Sequence, residues 1–461
     1  MKYSNFNHIK PCLAGSLLTM SPALQAQQTS VTHPNIVLIL ADDMGKECVG
    51  SYGSSYQTPN IDRLAEEGIL FNYGFSQPLS TPSRVQLMTG KYNYKNYVEF
   101  AYLDPNQKTF AHLAKAAGYE TVIAGKWQLG ANNKLPAHFG FDHYCLWQLS
   151  YARSEGERYA RPLIERDGVT LPVTENHYGP DIFVDYLLDF IDTHKQHPFL
   201  VYYPMTLVHE PFLPVPDSKL WNDGVAERHK NDTVNFRDMV AYTDKIVGQL
   251  IEKLKKEGLY DNTLIIFTGD NGTGQAIYTP MKDGTVIKGG KGQTLDRGVR
   301  VPLIARFGNG KVKHTTDDLI DFTDILPTIA EAIGLEIPAD WDTDGHSFLP
   351  QLKGEKSHPR EWIFSHYSPI HSERVNRLSA RSFRDHHYRL YHDGRLYDLV
   401  ADPEETQPIE SGKGSEEVEI IRKKFQHELD KLPAWNPGDR GKPKYVLPGY
   451  ESGVTKASLK P

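Results

Sequence analysis

The sequence predicts an α/β fold, in which a sheet of buried strands is covered by helices. Apolar runs rich in β-branched residues recur along the chain, as expected of strands that are buried on both faces. Helical patterns with recognisable ends alternate with these runs, and this order of elements is typical of α/β proteins. The 461 residues, 39% of them hydrophobic, are enough for one large domain with a sizeable core and a smaller second domain.

The predicted elements of the large domain alternate along the chain. Strands are expected at residues 35–40, 121–124, 199–203 and 263–267. Helices are expected at residues 109–117, 181–195 and 236–257. A glycine directly follows the first and third helices and a proline closely follows the second, and both residue types end helices.

The pattern loosens after about residue 344 and then predicts a small α+β domain. Two short alternating runs, residues 387–391 and 395–399, flank an Asp-Gly pair, which is a hairpin signal. A helix is expected from about residue 416 to residue 432. We therefore assign a large N-terminal domain to residues 33–350 and the smaller C-terminal domain to residues 355–461.

Residues 1–26 predict a secretory signal peptide. A basic start is followed by a short apolar core at residues 13–20 and by small residues that allow cleavage after Ala26 or Ala23. The apolar core is too short to span a bilayer, and no later run is long enough either. The expected location is secreted or periplasmic, with an unstructured N-terminal tail as the alternative interpretation of this segment.

The charge balance and the cysteines restrict the class of protein further. A net charge of -7 argues against nucleic acid as the main partner, because phosphate binding needs a basic field. Of the three cysteines, Cys48 and Cys145 would remain after signal cleavage. We favour two buried thiols over a single disulfide, and no cysteine framework holds the fold together.

Polar side chains follow each of the four predicted strands. They are Asp42 and Asp43, Lys126, His209, and Asp270 and Asn271. One aspartate after a strand is unremarkable, because aspartate favours turns. Ligands of open α/β sheets bind outside the carboxyl ends of the strands. Four strands that are each followed by such a polar residue therefore predict a functional site.

Asp42, Asp43, Asp270 and Asn271 offer only oxygen ligands. Calcium and magnesium prefer such ligands, whereas zinc usually adds histidine or cysteine. Calcium accepts looser geometry, so we favour it modestly. The alternative is a turn with solvated carboxylates, but two adjacent acids repel each other unless a cation lies between them.

The segment from Ser80 to Arg84, STPSR, predicts a nucleophile beside an anion site. Ser80 stands just ahead of a helix that is expected to begin at Pro82, because proline tolerates the first helical position, where its missing N–H would have no partner. The free amides and partial positive charge of a helix start suit an anion. The competing interpretation of Ser80 is a simple helix N-cap.

Taken together, these motifs resemble those of type I sulfatases in the alkaline phosphatase superfamily, over about residues 34–408. The family motif is Cys or Ser, any residue, then Pro-Ser-Arg, which Ser80 to Arg84 matches in its serine form. Further matching stretches are residues 41–45 (ADDMG), 125–127 (GKW), 269–272 (GDNG), 290–292 (GKG), 298–302 (GVRVP) and 396–399 (LYDL). The resemblance implies an alkaline phosphatase-like α/β fold, with a large mixed, mostly parallel sheet sandwiched by helices and a smaller α+β C-terminal domain with an antiparallel sheet.

The resemblance also implies a modified nucleophile. Ser80 would be oxidised to formylglycine (3-oxoalanine) by a formylglycine-generating maturation enzyme, and the hydrate of this aldehyde would attack sulfur. Calcium would lower the pKa of the attacking hydroxyl. The implied calcium ligands are Asp42, Asp43, Asp270, Asn271 and the modified Ser80.

Four further residues receive roles from the resemblance. Arg84 would orient the modified residue, and Lys126 and Lys291 would neutralise the sulfate oxygens. His209 would protonate the leaving alcohol, with Lys291 as a possible assistant. Outside these motifs, a lone histidine or lysine is expected to be structural.

Two departures from the family pattern bear on substrate binding. Gln128 stands where many relatives carry a histidine that accepts a proton during sulfate release, and an amide cannot act as that base. Asp296-Arg297 stands where the family often has Glu-Gly. We therefore consider Gln128 and Arg297 as substrate-binding candidates, with Arg297 either extending a basic surface or simply solvated.

The expected activity is hydrolysis of sulfate esters on a polysaccharide or glycan. A phosphonate or phosphate ester hydrolase of the same superfamily is an alternative, because phosphorus and sulfur centres make similar geometric and charge demands. A non-catalytic relative that binds sulfated glycans is a second alternative. The identity of the sugar and the oligomeric state do not follow from the motifs.

Overall fold

The computed structural model describes residues 33–150 and 157–436. The strands are β1 (Asn35–Ala41), β2 (Ile69–Phe75), β3 (Glu120–Lys126), β4 (His143–Trp147), β5 (Ile164–Arg166), β6 (Val169–Thr170), β7 (Phe199–Pro204), β8 (Thr263–Gly269), β9 (Tyr278–Pro280), β10 (Val286–Lys288), β11 (Arg300–Arg306), β12 (His314–Asp321), β13 (Ile363–Tyr367), β14 (Ala380–Arg384), β15 (Tyr388–Tyr391) and β16 (Leu396–Asp398).

The α-helices connect these strands along the chain. They are α1 (Pro59–Glu66), α2 (Ser80–Thr89), α3 (Asn93–Asn96), α4 (Phe110–Ala116), α5 (Leu135–His138), α6 (Gly179–His194), α7 (Lys219–Asn222), α8 (Val225–Arg228), α9 (Phe236–Lys256), α10 (Asp296–Val299), α11 (Ile325–Ala332), α12 (Leu349–Lys353), α13 (Glu373–Asn376) and α14 (Glu416–Asp430). Short 3₁₀ helices lie at Lys46–Cys48, Gly50–Tyr52, Thr233–Asn235, Tyr260–Asn262, Phe322–Asp324 and Ala339–Trp341.

The main sheet has ten strands in the order β12-β2-β11-β8-β1-β7-β3-β4-β5-β6. The five central strands, from β8 to β4, are parallel to one another. β11 pairs antiparallel with both β8 and β2, and β5 pairs antiparallel with β4. The large, mixed and mostly parallel sheet predicted above is therefore confirmed.

Helices cover both faces of the main sheet. Val37 and Ile39 of β1 pack into one hydrophobic cluster with α1, α6 and α9. The alternate residues Ile36 and Leu38 pack into a second cluster with α2, α4 and α11. Because both faces are buried, the central strands need no polar face, which explains their continuous apolar sequences.

The C-terminal part forms a separate antiparallel sheet in the order β13-β14-β15-β16, as predicted. Phe383 of β14 and Leu390 of β15 pack with Val418 and Phe425 of α14 in one cluster. Backbone contacts group the described residues from His33 onward into one compact unit. The domain boundary between residues 350 and 355 stays a prediction.

The structure bears on the predicted thiols and on membrane-spanning helices, but not on the predicted signal peptide. Cys48 and Cys145 are both buried free thiols. Among residues 33–150 and 157–436, none of the helices combines the length and the apolar character that a membrane crossing requires. The predicted signal peptide lies outside the described residues, so a secreted or periplasmic location stays a prediction.

Asp296 joins the two sheets through arginines of the C-terminal part. Its Oδ1 accepts a hydrogen bond from Arg384 and lies 2.8 Å from Arg389 Nη2, and its Oδ2 lies 3.7 Å from Arg300 Nη1. The side chains of Arg384 and Arg389 are 3% and 2% exposed. Burial alone would raise the pKa of Asp296, but these arginines hold it well below its ordinary value.

Asp296→Asn should lower the free energy of unfolding by about 3 kcal/mol, because two buried guanidinium groups lose a carboxylate partner. Since the pKa of Asp296 is lower in the folded state, unfolding takes up a proton as the pH falls through the ordinary aspartate pKa. The contribution of Asp296 is therefore complete above about pH 5 and shrinks below it. Urea unfolding of both proteins at several pH values measures this difference.

The exposed Glu336, in the loop after α11, provides a control carboxylate outside the first turn of any helix. Glu336→Gln should change the free energy of unfolding by less than about 0.5 kcal/mol at every pH. A stability loss in Asp296→Asn that stayed constant between about pH 5 and about pH 3 would contradict the ion-pair explanation.

Candidate active site

The polar side chains predicted at four strand exits meet at one edge of the main sheet. They are Asp42 and Asp43 after β1, Lys126 at the end of β3, His209 beyond β7, and Asp270 and Asn271 after β8. These four strands are adjacent in the order β8-β1-β7-β3. Asp42 is tied to the segment after β7 by two backbone hydrogen bonds of 2.7 Å, to Leu207 and Val208.

Ser80 is the first residue of α2, and its hydroxyl faces these side chains. Its Oγ lies 3.3 Å from Asp42 Oδ1, 3.2 Å from Asn271 Oδ1 and 3.1 Å from Lys126 Nζ. The helix does not begin at Pro82 as predicted but two residues earlier, and Pro82 lies in its first turn, where an N–H has no partner in the helix. The N-cap is the residue before Ser80, so the capping interpretation of Ser80 is wrong.

Asp43 connects the acidic groups to one another and to a lysine. Its backbone N–H donates to Asp270 Oδ1 at 2.9 Å. Its two carboxylate oxygens accept from Asn271 Nδ2 at 2.8 Å and from Lys291 Nζ at 2.6 Å. Asp43 and Asp270 are 3% and 1% exposed, so their charges have little access to water.

Asp42 lies between two cations. Lys126 Nζ is 2.8 and 2.9 Å from its two oxygens, and Arg158 Nη1 is 2.9 Å from Oδ2. Burial would raise the pKa of Asp42, but Lys126 and other nearby positive charges hold it well below the ordinary value. Asp42 is therefore ionised at neutral pH.

The donor set at this edge fits a hard divalent cation. Asp42, Asp43 and Asp270 supply carboxylate oxygens, and Asn271 supplies an amide oxygen next to the Ser80 hydroxyl. Burial, reinforced by the charge of Asp42, raises the pKa of Asp270 to about 7. Three buried carboxylates repel one another, and a bound cation would remove this repulsion.

His209 faces the same group from the segment after β7. Its Nδ1 lies 2.5 Å from the Glu210 carbonyl oxygen, and its Nε2 lies 3.7 Å from Asp43 Oδ2. Burial and the positive charge of Arg158 lower the pKa of His209 to about 3. The ring is therefore neutral at pH 7, with Nδ1–H donating to the carbonyl and Nε2 directed towards the site.

Arg84 acts on the site through the backbone of the strand exit. Its guanidinium donates to the carbonyl oxygens of Trp127 and Lys126 at 2.5 and 2.8 Å. Gly125 makes this exit possible, because its φ is 108° and a Cβ would lie 2.1 Å from the Pro204 carbonyl oxygen. The resemblance implies that Arg84 orients the modified Ser80, and among the described residues the hydrogen bonds of Arg84 go to these two carbonyl oxygens.

Comparison with known families identifies this arrangement. The Sulfatase family model matches residues 34–335, and the family model for the C-terminal part of N-sulphoglucosamine sulphohydrolase matches residues 291–434. The chain belongs to the sulfatase family. It is a type I sulfatase of the alkaline phosphatase superfamily, and so a sulfuric ester hydrolase.

Relatives of this sulfatase cover most of its length. Arylsulfatase A of Bos taurus is 30% identical over 425 residues, which are 84% of this chain and 81% of that protein. N-acetylglucosamine-6-O-sulfatase of Bacteroides thetaiotaomicron is 26% identical and covers 85% of both chains. The crystal structure of Ps i-CgsB in complex with k-i-k-neocarrahexaose superposes with a TM-score of 0.70 at 26% identity, over 90% of this chain and 94% of the other.

Ser80, Lys126 and His209 line one cavity, which we call the cavity above Ser80. It contains one functional candidate that the sequence did not reveal. Arg158 lines this cavity, is 8% exposed and stacks on Trp147, with its guanidinium carbon 4.3 Å from the ring centre. No motif marks it, and only its place in a long connection between β4 and β5 could have drawn attention to it. In this sulfatase it adds a third cation to Lys126 and Lys291.

The two departures from the family pattern lie in different places. Gln128 lines the cavity above Ser80. Arg297 instead pairs with Glu404 at 2.9 Å and donates to Gln293 Oε1 at 3.0 Å. Among the described residues, Arg297 is therefore part of a contact with the C-terminal segment and does not line this cavity.

Proposed function

We propose that this sulfatase removes sulfate from a sulfated carbohydrate, with Ser80 converted to formylglycine and calcium bound beside it. The observation that carries the proposal is the position of Ser80 Oγ, which lies within 3.3 Å of a lysine, a carboxylate and an amide oxygen. Two of the proteins named above support the substrate class, N-acetylglucosamine-6-O-sulfatase and Ps i-CgsB, whose crystal structure is a complex with k-i-k-neocarrahexaose. Conversion of Ser80 requires a formylglycine-generating enzyme as a partner during maturation.

The proposed calcium ligands are Asp42, Asp43, Asp270, Asn271 and the modified Ser80. Bound calcium would stabilise the negative charge of the nucleophilic oxygen and of the sulfate group. The hydrated aldehyde would supply two hydroxyl groups, one to attack sulfur and one to expel sulfate. The protein contributes a rigid set of oxygen donors at the end of a buried sheet.

Lys126 and Lys291 hold positions suited to the sulfate oxygens. Both are already fixed by carboxylates, Lys126 by Asp42 and Lys291 by Asp43. Fixed cations in a buried site stabilise developing negative charge without reorganising at the moment of reaction. Arg84 keeps the Lys126 backbone in place, so we assign it a positioning role.

His209 is the proposed donor of a proton to the leaving alcohol. Its Nδ1–H is held by the Glu210 carbonyl, which leaves Nε2 free to carry the transferred proton. The low pKa of His209 belongs to the protein without substrate. The negative charge of a bound sulfate ester favours the protonated ring and raises this pKa.

His209→Asn should slow sulfate release about 10²-fold or more from sugar sulfates, because an alkoxide is a poor leaving group without a proton. An activated aryl sulfate needs no such proton, and its release should slow much less. Measurement of kcat for both substrates tests the proton-donor role.

His229 is the matched control, because it lines the same cavity but pairs with Glu157 and Glu175. His229→Asn should leave the ratio of the two kcat values unchanged. An equal loss on both substrates in His209→Asn would show that His209 does not protonate the leaving group.

The proposed function is tested with protein matured in a host that has a formylglycine-generating enzyme. Mass spectrometry of the peptide that contains Ser80 checks the modification. A panel of defined sulfated saccharides, with matched phosphate monoesters, then checks the reaction. Faster phosphate release would favour the phosphoester hydrolase alternative, and binding of sulfated glycans without release would favour the non-catalytic alternative.

A further inference from the structure

The cavity above Ser80 adjoins a second lobe of similar size, with which it shares four lining residues. The first lobe has a volume of about 760 Å³ and contains Ser80, Lys126 and His209. The second has a volume of about 800 Å³ and extends towards the C-terminal part of the chain. Each lobe falls within the usual size range of small-molecule sites, so together they exceed what one sugar ring needs.

The two lobes share a wall at the catalytic centre. Leu79, Glu210, Lys291 and Val375 line both of them. Lys291 donates to Asp43 at 2.6 Å and lines both lobes, so it borders both the proposed sulfate position and the second lobe. A saccharide whose sulfated ring lies over Ser80 can therefore continue past Lys291 into the second lobe.

Two arginines line the second lobe from the segment around α13. In the described part of the chain, Arg374 forms no ion pair, and Arg377 pairs only with Glu373, at 2.6 Å. The two partners of that pair are 73% and 85% exposed. Such an exposed pair contributes little and gives way easily to a stronger anionic ligand.

The rest of the lobe suits a sugar ring. Gln275, Gln293 and Ser372 supply amide and hydroxyl groups for hydrogen bonds to hydroxyls. Phe212 and Leu378 supply apolar surface for the C–H face of a ring. A guanidinium group matches a carboxylate or a sulfate through two parallel hydrogen bonds.

We propose that the second lobe binds the neighbouring residue of the saccharide chain and that Arg374 and Arg377 recognise a carboxylate or a second sulfate on that residue. This inference rests on the proposed function, because it takes the sulfated ring to lie over Ser80. It makes the enzyme specific for oligosaccharides with adjacent anionic residues. Neither arginine lies in the motif stretches quoted in the sequence analysis.

The test compares an aryl sulfate with four esters that share one sulfated sugar ring. The four are a sulfated monosaccharide and three disaccharides, whose second residue is neutral, carries a carboxylate or carries a sulfate. The matured enzyme should hydrolyse the anionic disaccharides with a kcat/KM at least about tenfold above that of the neutral one. The carboxylate and sulfate versions show which anion the lobe prefers.

R374A/R377A should lose this preference through a higher KM for the anionic disaccharides. R374K/R377K should restore part of it, because lysine keeps the positive charge but cannot form the two parallel hydrogen bonds of a guanidinium. Arg395, an exposed residue paired with Asp393 at 2.8 Å, is the matched control. R395A should keep the kinetic constants of the unmodified enzyme on all substrates. Thermal unfolding of each variant verifies the fold.

Equal kcat/KM values for all saccharides, unchanged in R374A/R377A, would overturn the inference while the proposed function stands. Absence of sulfate release from every ester would count against the proposed function instead. In that case, calorimetry of the anionic disaccharides with the S80A protein decides the inference. Binding weakened about tenfold by R374A/R377A supports the lobe, and unchanged binding overturns it.

Discussion

Ser80→Ala should abolish sulfate release, by at least about 10⁴-fold in kcat, while the protein keeps its fold. The loss is this large because alanine can neither be oxidised to an aldehyde nor attack sulfur itself. The fold should survive because Ser80 Oγ contacts only site side chains and makes no capping bond to α2. The expected change in the free energy of unfolding is about 1 kcal/mol or less.

Ser76→Ala separates this effect from the general loss of a buried hydroxyl. Ser76 is 3% exposed, and its Oγ donates to the Val299 carbonyl oxygen at 3.1 Å, away from the site carboxylates. Its replacement should lower stability by about 1 kcal/mol and leave kcat within a factor of two or so. Activity is measured on an aryl sulfate, and substantial residual turnover in Ser80→Ala would refute the nucleophile assignment.

The central part of the fold follows from local sequence signals. The four predicted strands are β1, β3, β7 and β8, and the helix expected at residues 236–257 is α9 with an end one residue earlier. The Asp393-Gly394 pair lies between β15 and β16, as the hairpin signal indicated. Continuous burial and helix-ending residues produce these patterns, so a single sequence reveals them.

The outer strands depend on contacts that sequence patterns do not reveal. β11 enters the sheet antiparallel between β8 and β2, and β12 then pairs parallel with β2. The pairings of β2 with β11 and β12 join segments more than 200 residues apart and carry no local signal. Prediction from this sequence therefore reached the core of the sheet and missed its edges.

The site residues also divide into those that the sequence identified and those that it did not. Asp42, Lys126 and Asp270 were identifiable because each follows a buried strand, and the carboxyl ends of neighbouring parallel strands must meet. Arg158 and Arg374 come from connections whose paths are set by tertiary contacts. The same holds for Arg297, whose partner Glu404 is distant in sequence.

Asp270→Asn should abolish calcium binding. The rate of sulfate release should therefore fall about 10³-fold or more. The substitution keeps the shape of the side chain but removes one of three buried carboxylates. In calcium-free protein this relieves repulsion from Asp42, so the variant should be at least as stable as the unmodified protein. With calcium present the order should reverse, because only the unmodified protein gains the free energy of binding.

Thermal unfolding with a calcium chelator and with excess calcium measures both parts of this prediction. The pKa of Asp270, raised to about 7, adds a pH test, because a proton on Asp270 competes with calcium and affinity should rise as the pH increases through 7. Asp244 is a matched control, a 2% exposed carboxylate that accepts the N–H groups of Asn60 and Ile61. Asp244→Asn should lower stability with and without calcium and keep the calcium-dependent rise in Tm. A full calcium-dependent rise in Asp270→Asn would show that Asp270 is not a ligand.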